Sequence, residues 1–394
     1  MNYKGDFEMS VFSINLSPNV LFGTDSHKQL GKKLKEFGCT KALIIYDMAM
    51  GKLGYTDELT QLAEAEGVSA VAYQTEAGEP SSDNIDRAYA FALENNVDGV
   101  VGFGGGSSLD TAKFVGLMLA NGGKAHEYLG YTNNKASKRF SPIITMPTTS
   151  GTGAEVTAGL ICVNDETKGK TSTLSSVTYS IVDPMYTLGL PQEFTAGTGI
   201  DALSHALESV CNTKDIQHWI ADTLGAECIR LCFKWLPVAY NDGSNLEARE
   251  WMSYAALLGG YTISNRKTTY GHLFANEVSD TYHYPHNVGV SVALSSVVRY
   301  NAKANPETNR IVARAIGIDC PDNADMAEVG KKIIQATDQL QKAVGMKTMK
   351  ELGLDQKFLD TSIENMKKND KWKIVPAQPD WDIVKQSLYE AFNL

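Results

Sequence analysis

The sequence has no Cys-x-x-Cys pair, no eighteen-residue apolar span, no excess of basic charge and only seven histidines. Each shortage removes a class of protein. The six cysteines are scattered, and Cys228 and Cys232, four apart in a helical-looking stretch, read as neighbouring buried thiols. A disulfide framework or a thiolate zinc site is therefore not expected. Without a long apolar span there is no candidate transmembrane helix. The opening residues, Met1 to Glu8, show no apolar run after a basic start, so a cytoplasmic location is expected. With 36 Lys and Arg against 46 Asp and Glu, the net charge of −10 argues against nucleic acid or an anionic membrane as the main partner. Internal repeats and low-complexity tracts are also missing.

What is present is an ordinary globular composition, 43% hydrophobic and 21% charged, in a chain of 394 residues that exceeds what one core normally serves. Two domains are expected. From about residue 10 to 190, short apolar runs alternate with amphipathic stretches, the pattern of a doubly wound α/β sheet. Candidate strands are Ala42 to Tyr46, Val68 to Tyr73, Gly99 to Phe103 and Pro142 to Met146. A helix over Asp83 to Asn95 follows the start signal Pro80-Ser-Ser-Asp83. Beyond Pro191 helical spacing takes over, in Asp201 to Val210, Trp219 to Trp235, Glu247 to Leu258 and Met326 to Val344. The boundary falls near Leu188 to Pro191. The expected architecture is an α/β domain over 1–190 and an all-α domain over 191–394.

The histidines are few but placed. Asp201 and His205 stand four apart, so on a helix their side chains lie one above the other and can reach one cation. His272 and His286 stand fourteen apart, and His286, directly after Pro285, reads as the first residue of a helix. One carboxylate and three imidazoles suit Fe(II), Zn(II) or Mn(II) rather than Ca(II) or Mg(II), which want mostly oxygen.

Two loops carry phosphate-binding signals. Val100 to Lys113 is a strand running into Gly104, Gly105 and Gly106 and then a helix capped by Ser107 or Ser108. Such a turn is either structural or a cradle in which backbone N–H groups and the helix N-terminus hold a pyrophosphate. It departs from the dinucleotide fingerprint, with Ser107 where the last glycine should stand. The second loop, Pro147 to Thr157, packs hydroxyls and glycines after another strand. Asp47 ends the strand Ala42 to Tyr46, where a carboxylate can accept from a ribose and repel a 2′-phosphate, favouring NAD over NADP.

Gly104-Gly-Gly-Ser-Ser-Leu-Asp-Thr-Ala-Lys113, Pro147-Thr-Thr-Ser-Gly-Thr-Gly-Ala-Glu155, Gly199-Ile-Asp-Ala-Leu-Ser-His205 and Pro285-His286, in this order and spacing, resemble the iron-containing (group III) alcohol dehydrogenase family. The resemblance implies a dinucleotide-binding α/β domain, a helical metal-binding domain in the dehydroquinate-synthase-like arrangement, and a divalent metal in the cleft between them. It implies Asp201, His205, His272 and His286 as ligands, with Fe2+ the family metal and Zn2+ or Mn2+ as alternatives. Gly104, Gly105, Gly106 and Ser107 would hold the pyrophosphate of NAD, Asp110 would support that turn, and Thr148, Thr149 and Thr152 would line the nicotinamide side. Asp47 falls at the family's ribose position, and Lys170 lies close by. A homodimer or higher homo-oligomer is implied too, and the strand-like Ser10 to Leu21 could add to a partner's sheet.

Two departures qualify the match. Many members resemble His-x-x-x-His where this chain has His272 and Asn276, and asparagine cannot accept a proton near neutral pH. His283, three residues before His286, is the candidate substitute for that relay. The usual Pro-His-Gly is replaced by Pro285-His286-Asn287. The expected activity is NAD-dependent interconversion of a small primary alcohol and its aldehyde, the metal acting as a Lewis acid. If Arg266 or Lys267 faces the cleft, the aldehyde could carry a carboxylate, phosphonate or sulfonate. Two other readings are an NAD- and metal-dependent lyase of the dehydroquinate-synthase type and a non-catalytic NAD-binding scaffold or sensor.

Overall fold

The computed structural model describes residues 12–394 except 77, 131–134, 139, 141, 167–168, 212–217, 374 and 376–377. Its strands are β1 (Asn19–Phe22), β2 (Lys41–Tyr46), β3 (Ser69–Gln74), β4 (Gly99–Gly104), β5 (Ile143–Pro147), β6 (Gly159–Val163), β7 (Lys170–Leu174) and β8 (Tyr179–Val182). Six of them form one sheet in the order β1-β8-β5-β4-β2-β3, and every paired neighbour is parallel. β6 and β7 form a separate antiparallel hairpin. The first half also holds α1 (Leu30–Glu36), α2 (Met48–Lys52), α3 (Tyr55–Ala65), α4 (Ser82–Glu94) and α5 (Gly106–Asn121).

A parallel sheet needs its crossover helices on its faces, so its central strands are buried on both sides and read as continuous apolar runs. β4 is buried along its whole length, and Ala42, Leu43, Ile44 and Ile45 of β2 have no exposed surface. The chain runs from β2 outward to β3, returns to β4 beside β2, and then continues to β5 on the other side. That reversal opens a crevice beyond the carboxyl ends of β2, β4 and β5, where open α/β sheets bind ligands. The glycine loop, Asp47 and the hydroxyl loop all stand at this edge.

The second half contributes α6 (Gln192–Val210), α7 (Trp219–Asn241), α8 (Leu246–Arg266), α9 (Tyr270–Tyr282), α10 (His286–Ala304), α11 (Asn309–Ala315), α12 (Met326–Ala343), α13 (Gln356–Lys367) and α14 (Trp381–Phe392). α6, α7 and α8 enclose one apolar core around Ile200, Leu203, Leu207 and Ile229. α9, α10, α13 and α14 enclose another around Tyr270, Phe274, Leu359 and Leu388. All six cysteines are buried and unbridged. Among the described residues no helix is long and apolar enough to cross a membrane.

Three helices outrun their sequence expectations. α6 starts at Gln192, behind Pro191, instead of at Asp201. α7 continues through Pro237 to Asn241. α8 passes through Gly259 and Gly260 to Arg266. The two glycines in α8 have a packing reason. A Cβ on Gly260 would stand 2.8 Å from the Gly153 carbonyl oxygen and 2.7 Å from Val156 Cγ2, so the helix lies directly against the hydroxyl loop of the other half. The expected strand over Ser10 to Leu21 is corrected: within its described part only Asn19 to Leu21 are extended into β1, which pairs with β8 of its own sheet. β6, β7 and β8 went unforeseen because they are short and, in β7, wholly without aliphatic residues before Leu174.

Candidate active site

On α6, Asp201, His205 and Glu208 recur at the spacing that keeps residues on one helical face. His272 comes from α9 and His286 is the first residue of α10, behind Pro285. Asp201 Oδ1 lies 3.6 Å from His205 Nε2 and 3.4 Å from His272 Nε2. Ligand atoms of Asp201, His272 and His286 all fall within 4.8 Å of one another. Four donors about 2.1 Å from one ion at tetrahedral angles stand about 3.4 Å apart, so these separations fit a shared cation.

The donor set passes a second test. Asp201 Oδ1, His205 Nδ1, His272 Nε2 and His286 Nδ1 are buried without a hydrogen-bond partner. Leaving buried polar atoms unmatched costs about 1–3 kcal/mol each, and one cation would satisfy those of Asp201, His272 and His286 together. Burial drives the His205 imidazole down to about 4 and His286 well below its ordinary value, with Lys170 adding to the latter. Both rings therefore present neutral lone pairs at neutral pH. Asp201 is held well below the usual carboxylate range: burial opposes its charge, but His205 and His272 outweigh that.

Glu208 was not singled out from sequence. It is buried, and its Oε1 lies 2.5 Å from His272 Nδ1 while Oε2 accepts from Thr269 N and Thr269 Oγ1, both at 2.7 Å. Burial raises the Glu208 carboxyl, but the facing His272 pulls it down to about 2. A carboxylate there accepts the Nδ1 proton and turns Nε2 toward the cluster, the usual support for a ligating histidine. Its i+7 spacing from Asp201 was the available signal. Burial disfavours charge on His272, yet Glu208 and Asp201 together raise it to about 9.

The cofactor side is built on α5. Its N-cap is Gly105, not Ser107 or Ser108 as the sequence suggested, so the first-turn N–H groups of Gly106 and Ser107 open toward the crevice. Gly104 adopts φ 147°, and a Cβ there would stand 2.6 Å from Asp47 Oδ2. Gly105 is open: a Cβ would meet nothing nearer than Thr149 at 3.8 Å. Asp47 caps α2 through Ala49 N and Met50 N, and its second oxygen lies 3.4 Å from Gly105 N.

A cavity of about 550 Å3 joins these parts. Gly105, Gly106, Ser107, Thr149 and Thr152 line it from the sheet side, and Asp201, His205, His272, Asn276 and His286 from the helical side. Asn276 Oδ1 is buried there without a partner. Lys170 also lines it, paired with Glu79 at 3.0 Å.

Several expectations need correction. Thr148 is buried away from the cavity lining, and its N–H donates to the Gly104 carbonyl, so it joins the two loops instead of facing the nicotinamide side. Asp110 accepts from Ile161 N at 2.9 Å and pairs with Lys113 at 2.9 Å, tying α5 to β6 rather than bracing its own turn. His283 is exposed at the C-cap of α9 with φ 58° and does not line the cavity. Arg266 turns away to Asp222, 2.5 Å distant, whereas Lys267 does line the cavity.

Residues 17–184 match the family model described as iron-containing alcohol dehydrogenase, and residues 195–392 match that of the Fe-containing alcohol dehydrogenase family, C-terminal. Alcohol dehydrogenase 4 of Schizosaccharomyces pombe is 31% identical over 93% of this chain and 85% of its own length. A sulfoacetaldehyde reductase of Bilophila wadsworthia is 33% identical over 75% of this chain and 76% of its own. The crystal structure of a 1,3-propanediol oxidoreductase, 29% identical, superposes with a TM-score of 0.90 over 97% of this chain and 100% of that one.

Proposed function

The chain belongs to the iron-containing alcohol dehydrogenase family, and from that premise we propose how its own residues interconvert a small primary alcohol and its aldehyde with NAD. The observation that carries the reading is the convergence of Asp201, His272 and His286, each with an unmatched polar atom, on the cavity that also exposes the N-terminus of α5, with His205 Nε2 3.6 Å from Asp201 on the same lining.

Asp201, His205, His272 and His286 would hold the Fe(II) of the family, with Glu208 fixing the His272 ring. When bound, the metal supplies Lewis acidity at the alcohol or carbonyl oxygen and NAD supplies or accepts the hydride. Gly106 and Ser107 would offer backbone donors and the positive end of α5 to the pyrophosphate, with Gly105 leaving room for its close approach. Thr149 and Thr152 would give hydroxyls to the nicotinamide side. Asp47, held by α2, would keep its second oxygen beside the glycine turn, where a 2′-phosphate is unwelcome. Asn276 would orient the substrate hydroxyl by hydrogen bonding but cannot take its proton.

Burial of Asp201, His205 and His272 between the two halves strengthens charge interactions at the cluster. We put the junction of the halves at 188–191, a reading supported by the change from strands up to β8 to helices from α6 onward. A homo-oligomer is favoured by β1, a sheet edge whose Phe22 is exposed.

The test is cofactor stoichiometry in the iron-loaded enzyme. One NADH formed per aldehyde produced supports the dehydrogenase. NAD that is recycled without net NADH would favour the lyase, and no NAD-linked turnover would favour a scaffold.

A further inference from the structure

Two lysines of the helical half line the same cavity and take no part in the reaction described above. Lys267 ends α8 with φ 64° and ψ 161°, a backbone region that side-chain-bearing residues rarely adopt and that costs about 1–3 kcal/mol. The geometry is held from both sides: the Lys267 N–H donates to the Ile263 carbonyl at 2.9 Å, and its own carbonyl accepts from Ser209 Oγ at 3.0 Å. Lys371, which arrives from a segment a hundred residues on, is buried, and its Nζ donates to Thr268 Oγ1 at 2.6 Å and to the Thr269 carbonyl at 3.2 Å. The Lys371 ammonium thus sits on the 267–269 turn, and Lys267, on that turn, lines the same cavity.

That turn leads straight to the candidate metal centre. Thr269 gives its N–H and its hydroxyl to Glu208 Oε2, and Glu208 Oε1 holds His272. Glu208 is the carboxylate that faces Lys371, and it is already committed to Ser204, to the N–H and hydroxyl of Thr269 and to His272. An ammonium has three N–H donors, and Lys371 spends two on Thr268 and Thr269. Burial lowers both lysines, Lys371 to about 8 despite Glu208, with Lys267 contributing repulsion. Two like charges in one partly desolvated wall repel each other, and a substrate anion beside them would offset that repulsion. The two lysines come from the helical half, whereas the glycine cradle belongs to α5 of the other half.

We propose that Lys267 and Lys371 form an anion subsite that selects short aldehydes bearing a sulfonate, carboxylate or phosphonate at the end away from the carbonyl. This rests on the dehydrogenase reading and names its substrate class. The ionised group sits against the two lysines, so that the carbonyl is directed toward the side of the cavity lined by His272 and Asn276.

The test compares sulfoacetaldehyde, succinic semialdehyde and phosphonoacetaldehyde with propanal and butanal in the iron-loaded enzyme. Calorimetric binding of isethionate, the alcohol that carries a sulfonate, is measured in parallel. A charge-assisted contact is worth about 1.5–3 kcal/mol, so at least one anionic aldehyde is expected to exceed its neutral counterpart about tenfold or more in kcat/KM. Which anion leads identifies the head group. In Lys267→Met, KM for the anionic aldehyde should rise about tenfold more than KM for the neutral one, with isethionate binding weakened to match. Lys371→Arg, which keeps the charge where Lys371→Met could disturb the packing, should retain the anionic preference. Equal use of neutral and anionic aldehydes by the unaltered enzyme, or an equal KM change for both in Lys267→Met, overturns the subsite. If no aldehyde is reduced at all, the dehydrogenase reading falls, and isethionate binding that depends on Lys267 still upholds the subsite while its absence overturns it.

Discussion

His272 Nδ1 lies 2.5 Å from Glu208 Oε1, and Glu208 is also fixed by Ser204, Thr269 N and Thr269 Oγ1. A ligating ring whose far nitrogen is pinned this way has its tautomer and its direction set before any ion arrives. Glu208→Gln preserves the shape and removes the charge. It should weaken Fe(II) affinity about 10–100-fold while leaving the fold intact, as read by competition with a chelator beside circular dichroism. Unchanged affinity would mean that Glu208 serves packing alone.

The contact between the halves makes a different prediction. Gly260 has no space for a side chain, because a Cβ would press on the Gly153 backbone and Val156, whereas Gly105 has open space. Gly260→Ala should cost about 1–3 kcal/mol in denaturant unfolding. Gly105→Ala should cost far less stability yet raise KM for NAD, since its Cβ would project where the cofactor is proposed to lie. Equal stability losses would contradict the packing argument.

Glu155 yields a pH dependence. It is buried in the hydroxyl loop, and burial pushes its carboxyl up to about 7, only partly opposed by Lys113. A carboxyl raised on folding stabilises the protein fully below its unfolded value, near 4.5, and loses that contribution as pH climbs through 7. Stability should therefore fall between these values by about 3 kcal/mol at most. Glu155→Gln should flatten the slope and be the more stable form at pH above about 8. Thermal melts across the range check this, and parallel curves for both proteins would rule it out.

Much of the architecture could be read before the structure because burial writes itself into sequence. β2, β3, β4 and β5 each matched an apolar run to within about one residue; β2, β4 and β5 are interior parallel strands with no polar face to interrupt them, while the edge strand β3 is read from Val68 to Tyr73 despite its exposed positions. β1, β7 and β8 carry four or five residues each, and β7 reads Lys-Thr-Ser-Thr-Leu, which no apolar pattern marks. Helix ends were misjudged where tertiary contacts outweigh local preference, as at Pro237 inside α7 and Gly259-Gly260 inside α8.

The site divides the same way. Asp201 and His205 were legible from their spacing on one helix and His286 from the proline before it. Thr148 and Asp110 stood in suggestive motifs, but the Thr148 N–H is spent on Gly104, and Asp110, though it lines the cavity, ties α5 to β6 through Ile161, which only contacts reveal. His283 was close in sequence to His286 yet faces outward, because a left-handed residue at the end of α9 turns the chain. Lys371 carried no local signal, for its meaning comes from Thr268 and Thr269, far away along the chain.

The central claim is that one metal ion, held by Asp201 and three histidines, makes the cleft competent for NAD-linked chemistry. Its most direct test is anaerobic titration of Fe(II) into chelated enzyme, following NADH-linked aldehyde reduction in the unaltered protein and in Asp201→Ala. The account predicts activity that rises to a plateau at about one ion per chain in the first and neither tight metal nor activity in the second. Full turnover by exhaustively chelated protein, or an Asp201→Ala variant that binds and works as well as the original, would contradict it.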